Sequence, residues 1–463
     1  MLNRHGLDLL VEWFRRKDGR KPLLMRGARQ VGKTTLVRML AERLGVQLVE
    51  INLEKPWGFA KTLKALNPRK TIESIEFELN IDIDSARSII FFDEVQAEPG
   101  VLPLLRYFHE ETPEFRVIAT GSLLDFVLAE PTFSIPVGRL ELFHLDPLSF
   151  EEFLLALGEK KALERIKTHH IADELPVDVH EKMNRLLRSY MIVGGMPEAV
   201  DTFAKTKSIK EVERVKSGIV ETFRMDLHKY IGKANPRLLA AAFDRMPQLM
   251  GRKLIYSHID GNSRSSEIAN AVRQLCLARI ASKIFNCRAN GVPLGAEKDD
   301  RFFKMLLLDV GLLLTQLKVI PIDVEEAEEL NYVNNGALAE QFIGQQLYCL
   351  HPWYTEPELY YWAREQKASS AEVDYVMTDG NNNIVPIEVK AGSTGSLRSL
   401  QVMVAEKSLK LAVRFNSEPP TMLQEKRTSA KGDVDFVLLS LPHYMVGQIG
   451  RLVDESAGGL RSS

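Results

Sequence analysis

Little in this chain points to a membrane or to an oxidising compartment. Its 463 residues include only three cysteines, Cys276, Cys287 and Cys349. They lie too far apart for a paired zinc or redox motif and read as reduced, packed thiols. No apolar run reaches spanning length. The most apolar stretch, MLLLDVGLLLTQL from Met305, is short, contains Asp309, and predicts a buried helix. The opening MLNRHGLDLLVEWFRRKDGR has no apolar core or small-residue cleavage site of a secretory signal. A cytoplasmic protein with no membrane partner is the expectation. An excess of one charge is also missing: Lys+Arg total 60 against 62 for Asp+Glu. Net charge therefore advertises no nucleic-acid partner, though a local basic groove fits within such a balance. Internal repeats and long low-complexity tracts are absent as well. What remains is an ordinary globular composition, 45% hydrophobic and 26% charged, in a chain long enough for several domains.

The most specific feature is KPLLMRGARQVGKTTLVRMLAERLG, from Lys21. Gly27 to Thr34 fits G-x-x-x-x-G-K-[ST], the phosphate-binding loop. The preceding Leu23–Met25 predicts a buried strand, and Leu36, Leu40 and Leu44 recur at helical spacing. Gly27 and Gly32 let the backbone curl so that its N–H groups face phosphate oxygens at a helix N-terminus. Lys33 would reach the β- and γ-phosphates, and Thr34 would ligate magnesium through its hydroxyl; Thr35 belongs to the same nucleotide-binding set. In SIIFFDEVQ, Asp93 and Glu94 follow a four-residue apolar run, as expected at the carboxyl end of a buried parallel strand. Asp93 is the expected magnesium partner, usually through water. Glu94 is the candidate base orienting the attacking water. A third strand, RVIATGS, ends in Thr120 and Ser122, either of which would sense the γ-phosphate. Without Asn-Lys-x-Asp anywhere, guanine specificity is not expected, and ATP is the expected nucleotide.

Together "GARQVGKTT", "FFDEVQ", "ATGSLL", "VGRLELFHLDPLSFEEF" and "VGGMPEAV" resemble the AAA-type ATPases of bacteria and archaea that carry a C-terminal restriction-endonuclease-like domain. The resemblance covers nearly the whole chain. It implies an α/β fold with a five-stranded parallel sheet between helices in residues 1–150 and a helical lid in residues 151–232. It also gives Arg139, just before the apolar strand Leu140–Leu145, the role of an arginine finger on ATP bound by a neighbouring subunit. A homo-oligomer follows from that role. One departure stands out: no arginine lies near the usual second sensor position around Gly194-Gly195-Met196-Pro197-Glu198.

In the lid segment LERIKT, EKMNRLLRSYMIV and VERVKSGIVETFRMDLHKY show helical spacing, and Pro197 fits a helix start. Arg224, Asp226 and Lys229 read as solvated charges. Residues 233–320 suggest a winged-helix-like unit. SRSSEIANAVRQ places Ser and Glu in a capping-box pattern ahead of a helix. LCLARIASKIFNC predicts a further helix carrying Arg279 and Lys283, with Arg273 and Arg288 nearby. Such a basic face would contact phosphates, or else simply be solvated. The acidic IDVEEAEELNYVNNG, from Ile322, reads as a linker.

The last segment, residues 321–463, contains "EVDYVMTDGNNNIVPIEVKAG". Glu372 and Asp374 share one strand face, Asp379-Gly380 opens a turn, and Glu388 and Lys390 share a face of the return strand. Two carboxylates, Asp374 and Glu388, suit a magnesium or manganese ion, and Lys390 would orient water or stabilise phosphate charge. Glu340, in register with Ile343 and Leu347 in GALAEQFIGQQLYCL, is costly on an apolar face unless paired, so it joins the set. Glu372 is an outer candidate. The resembled family uses such an Asp…Glu-x-Lys set. A plain hairpin with a Glu–Lys pair remains the alternative. Tyr360, Tyr361 and Trp362 before Arg364 would stack bases or pack in the core. Two readings lead over a third, a signalling ATPase that oligomerises on detecting a ligand. One is an ATPase coupled to a nuclease-like domain acting on DNA or RNA. The other is an ATP-driven switch or assembly factor whose last domain only binds a protein or nucleic acid.

Overall fold

The structure is a computed structural model that describes residues 2, 4–129, 138–227, 234–319, 335–366, 369–393, 395–429 and 432–461. The predicted linker from Ile322 and Lys229 of the lid motif lie outside the described residues.

Two sheets organise the chain. The first has five parallel strands in the order β2 (Gln47–Asn52), β3 (Ser88–Asp93), β4 (Arg116–Gly121), β1 (Leu23–Arg26), β5 (Glu141–His144). All six residues of β3 are buried, as a parallel strand covered on both faces requires. The phosphate-binding loop leaves β1 and enters the helix Lys33–Leu44 through Gly32, whose φ of 92° favours glycine.

The second sheet has eight strands in the order β12 (Thr421–Ser429), β13 (Gly432–Pro442), β11 (Leu411–Asn416), β10 (Ile384–Val389), β9 (Ser369–Thr378), β8 (Leu359–Gln366), β6 (Ala281–Cys287), β7 (Lys298–Leu307). The hairpin β9–β10 forms as expected, with Tyr375 opposite Ile387 and the Asp379 carboxylate accepting from the Asn381 and Asn383 N–H groups.

Here the sequence expectations need correction. Residues 233–320 do contribute the helices Pro236–Arg245 and Ser265–Leu277, followed by a hairpin, β6–β7. That hairpin is not a separate wing: β6 pairs with β8, so one sheet crosses the expected boundary at 320/321. LCLARIASKIFNC is not one helix either. Its helix ends at Leu277, Arg279 takes a positive φ of 56°, and Ala281–Cys287 is a strand. Arg279 and Lys283 therefore do not share a helical face. No capping box forms, because Arg264 occupies the N-cap and makes no side-chain cap bond. MLLLDVGLLLTQL also divides. Met305–Leu307 closes β7, and Asp309 caps a short helix, Val310–Gln316, by accepting from Leu312 N–H at 3.0 Å.

Helices form in the segments that the resemblance assigns to a lid, at Val177–Val193, Pro197–Thr206 and Ile209–Asp226. The Gly-Gly-Met-Pro segment docks them. Buried Asp309 accepts from Gly195 N–H at 2.6 Å, and the Leu148 N–H donates to the Gly195 carbonyl at 2.7 Å. A Cβ at Gly195 would collide with the Leu148 carbonyl, so only glycine permits this approach.

The helix Asn335–Cys349 lies under the second sheet. Its buried amides serve neighbouring backbone: Gln341 brackets Leu307, Gln345 accepts from Val310, and Gln346 accepts from Phe150. A single apolar cluster runs from β1 through the lid to β13, joining the two sheets.

Candidate functional site

The nucleotide loop and lid enclose a cavity of about 650 Å³. Lys33, Thr34, Thr35, Glu94 and Ser122 line it from the sheet side, and Pro197, Glu198 and Thr222 from the lid. Lys33 is buried, and its ammonium donates to the Gly27 and Ala28 carbonyls at 3.0 and 2.7 Å. Burial pulls its pKa down to about 8, against the opposing attraction of Glu94 and Asp93. The Thr34 hydroxyl donates to Asp93 at 2.8 Å. Thr120 donates to the other Asp93 oxygen, and Ser122 donates to Glu94 at 3.1 Å. The two residues left as alternatives thus do different jobs: Thr120 orients Asp93, and Ser122 orients Glu94. Glu94 itself sits at φ 56°, just beyond the end of β3, where Gln96 also donates to it. A hydroxyl and a carboxylate 2.8 Å apart beside a buried lysine fit a magnesium ion carrying phosphate oxygens.

Arg139 does not line this cavity. It is half exposed and pairs with Glu110 at 2.8 Å. Two arginines that the sequence reading passed over do line it, Arg4 and Arg29. Arg29 stood inside the loop motif, which was the available signal; Arg4 carried none. Asp226, expected as a solvated charge, is buried and pairs with Arg29 at 2.6 Å.

A second unforeseen group joins the two sheets. Arg26, the last residue of β1, pairs with Asp125 and, at 3.1 Å, with Glu356. Arg279 reaches the same two carboxylates at 2.5 and 2.9 Å. Arg279, read as part of a phosphate-contacting or merely solvated basic face, is therefore engaged in this ion cluster. Lys283 likewise lies over the Phe303 ring, 4.2 Å from its centroid.

In the C-terminal part, Glu340, Glu372, Asp374, Glu388 and Lys390 do converge, but around a residue the sequence did not suggest. Lys304 of β7, fully buried, lies 2.9 Å from Glu340, 2.6 Å from Glu372 and 3.8 Å from Asp374. Burial opposes its charge, yet Glu340, Asp374 and Glu372 outweigh that and raise its pKa. Burial also pushes Glu340 up, to about 7, while the 2.9 Å contact favours the ion pair. With Glu372 on the same ammonium, the ion pair governs. Glu340 is thus matched by a buried lysine, which offsets the cost of its burial.

Asp374 accepts from Val389 N–H at 2.7 Å, and Glu388 pairs with Lys390 at 2.6 Å. Burial and the neighbouring Glu388 raise Asp374 to about 6; burial likewise raises Glu388, against Lys390. Glu388 Oε2 is buried with no hydrogen-bond partner among the described residues. That orphaned oxygen beside Asp374 fits one divalent cation. Among the described residues, no three acidic, histidine or cysteine side chains are arranged to hold a metal. Tyr361 and Trp362 are buried, so at least two rings of the aromatic cluster pack rather than stack.

Three family descriptions match parts of the chain. A family described as an AAA domain matches residues 19–154. A domain of unknown function (DUF8612) matches residues 184–323, and another (DUF4143) matches residues 335–423. The site around Lys304 draws on both of the last two. No curated protein matches the chain. Among solved structures, a PCH-2 protein from C. elegans is similar at 14% identity and a TM-score of 0.27. That alignment covers 44% of this chain and 62% of the other, too slight a likeness to carry an argument. The first third of the chain is therefore similar to an AAA domain. Among the described residues, no helix is long and apolar enough to cross a membrane.

Proposed function

We propose that this protein binds and hydrolyses ATP in the cavity between loop and lid, and uses the nucleotide state to control a C-terminal domain acting on the phosphodiester backbone of DNA or RNA. The observation carrying the first half is the Thr34–Asp93 contact of 2.8 Å beside buried Lys33, with Glu94 oriented by Ser122. In this reading Lys33 exchanges its two carbonyl partners for the β- and γ-phosphates. Thr34 and Asp93 hold the magnesium ion, which neutralises phosphate charge when bound. Glu94 orients the attacking water, and Arg139 of a neighbouring copy approaches the γ-phosphate in a homo-oligomer. The Arg26–Asp125–Arg279–Glu356 cluster supports coupling, because it ties the residue preceding Gly27 to the turn leading into β6.

Asp374 and Glu388 would hold a magnesium or manganese ion, and Lys390 would stabilise charge developing on the phosphate. The Lys304 ammonium favours a second reading, an ATP-driven switch whose last domain binds a protein or nucleic acid without cutting. Nucleic-acid cleavage by the full chain, with manganese or magnesium and with or without ATP, separates the two. Cleavage lost in Lys390→Ala with ATP turnover intact supports the nuclease reading. ATP turnover without cleavage on any substrate supports the switch. Normal turnover in Lys33→Ala would remove the core of both.

A further inference from the structure

Arg29 is the third residue of the phosphate-binding loop, and its side chain lines the cavity. Two contacts fix it. Its Nε donates to Ser122 Oγ at 3.2 Å, and its Nη1 lies 2.6 Å from Asp226 Oδ2. Ser122 Oγ in turn donates to Glu94 Oε2 at 3.1 Å. Asp226 is the last residue of the lid helix Ile209–Asp226. One guanidinium therefore touches the lid directly and stands one hydroxyl away from the candidate base. Its charge is also felt at Lys33, so both cations act on one part of the cavity. A guanidinium carries five N–H donors in a planar fork suited to phosphate oxygens, and Nε and Nη1 are the atoms already engaged.

We propose that Arg29 reads the terminal phosphate of a nucleoside triphosphate and reports it to the lid by exchanging Asp226 for phosphate. The inference rests on the ATP reading above and deepens it. A diphosphate lacks the γ-phosphate oxygens that would reach the fork, so Arg29 stays on Asp226 and the lid helix end stays anchored. A triphosphate competes for the guanidinium with more negative charge than one carboxylate, and Asp226 is released. The same movement withdraws Arg29 from Ser122 and leaves that hydroxyl to Glu94 alone. A merely structural brace would hold the lid in the same way whatever nucleotide is bound.

The test is equilibrium binding of ADP and of a non-hydrolysable ATP analogue to the full chain, with magnesium, in the parent, Arg29→Ala, Arg29→Lys and Asp226→Asn proteins. Hydrogen exchange along residues 209–226 is followed in parallel. In Arg29→Ala the preference for triphosphate over diphosphate falls by about tenfold or more, as loss of a charge-assisted phosphate contact predicts. ADP affinity is retained, which also reports an intact fold. Arg29→Lys restores part of the preference. In Asp226→Asn the preference is kept, but triphosphate and diphosphate no longer differ in their effect on exchange at residues 209–226. An unchanged preference in Arg29→Ala overturns the proposal alone. So does parent exchange at 209–226 that is identical with both nucleotides. Absence of binding of either nucleotide to the parent overturns the ATP reading and this proposal with it.

Discussion

Replacing Lys304 by methionine tests the electrostatic account of the C-terminal site most directly. The side chain is fully buried, with its ammonium 2.9 Å from Glu340 and 2.6 Å from Glu372. Removing one partner of a buried pair costs about 3–5 kcal/mol, because the other charge is left uncompensated. The two carboxylates do not contribute equally. Glu372 is 42% exposed, so water takes over its solvation and its share is at most about 1 kcal/mol. Glu340 is buried and carries most of the loss. It can also escape by taking up a proton, since burial already favours its neutral form. The expected cost is therefore about 3 kcal/mol near neutral pH, and it grows with pH. Glu340 has a raised pKa in the folded variant, so stability is present at low pH and falls as pH rises, by up to about 1.4 kcal/mol per pH unit for one proton. Urea unfolding at pH 6.5 and 8.5, with hydrogen exchange in β7 and β9, measures both quantities. Lys304→Met combined with Glu340→Gln should recover about 2 kcal/mol of the loss, since the buried charge is gone. Manganese should stabilise the single variant more than the double one. A cost below about 1 kcal/mol, no pH dependence, or strict additivity would refute the reasoning.

Two more expectations follow from named contacts. Asp374→Asn should stabilise the protein by about 1–3 kcal/mol at pH 8, because burial and Glu388 make the charged form costly there. The folded pKa is about 6 and the unfolded one about 3.9, so the gain shrinks as pH falls through that window. Urea midpoints at pH 5 and 8 check it; a loss at pH 8 would overturn the assignment. Arg139→Ala should leave ATP affinity unchanged while lowering turnover by about 10³-fold, as expected for a trans-acting arginine. Parent turnover per subunit that is independent of protein concentration would count against that role.

The nucleotide site was legible because its chemistry is local. Gly27 to Thr34 is contiguous, and Asp93 and Glu94 are marked by the apolar run that precedes them. The hairpin was legible for a similar reason: period-two alternation and an Asp-Gly turn set which of Glu372, Asp374, Glu388 and Lys390 share a face. Errors arose where local pattern and pairing disagree. Ala281–Cys287 has residues at helical spacing, but Arg279 in a left-handed turn ends the helix and β8 supplies the neighbouring backbone. Met305–Leu307 was apolar enough for either structure, and pairing with β6 decided it.

The chain by itself determined the phosphate-binding loop, the carboxylate pair at the end of β3, the lid helices and the β9–β10 hairpin, because each depends on residues close in sequence. Only the tertiary structure decided the partners of the isolated charges. Lys304 met Glu340 and Glu372 because β7 became the sheet edge above the helix Asn335–Cys349; Arg29 met Asp226, and Arg279 met Asp125, across more than a hundred residues of chain. A charged residue shows no periodicity that names its partner. Burial makes the pairing obligatory, and the packing of distant elements chooses it.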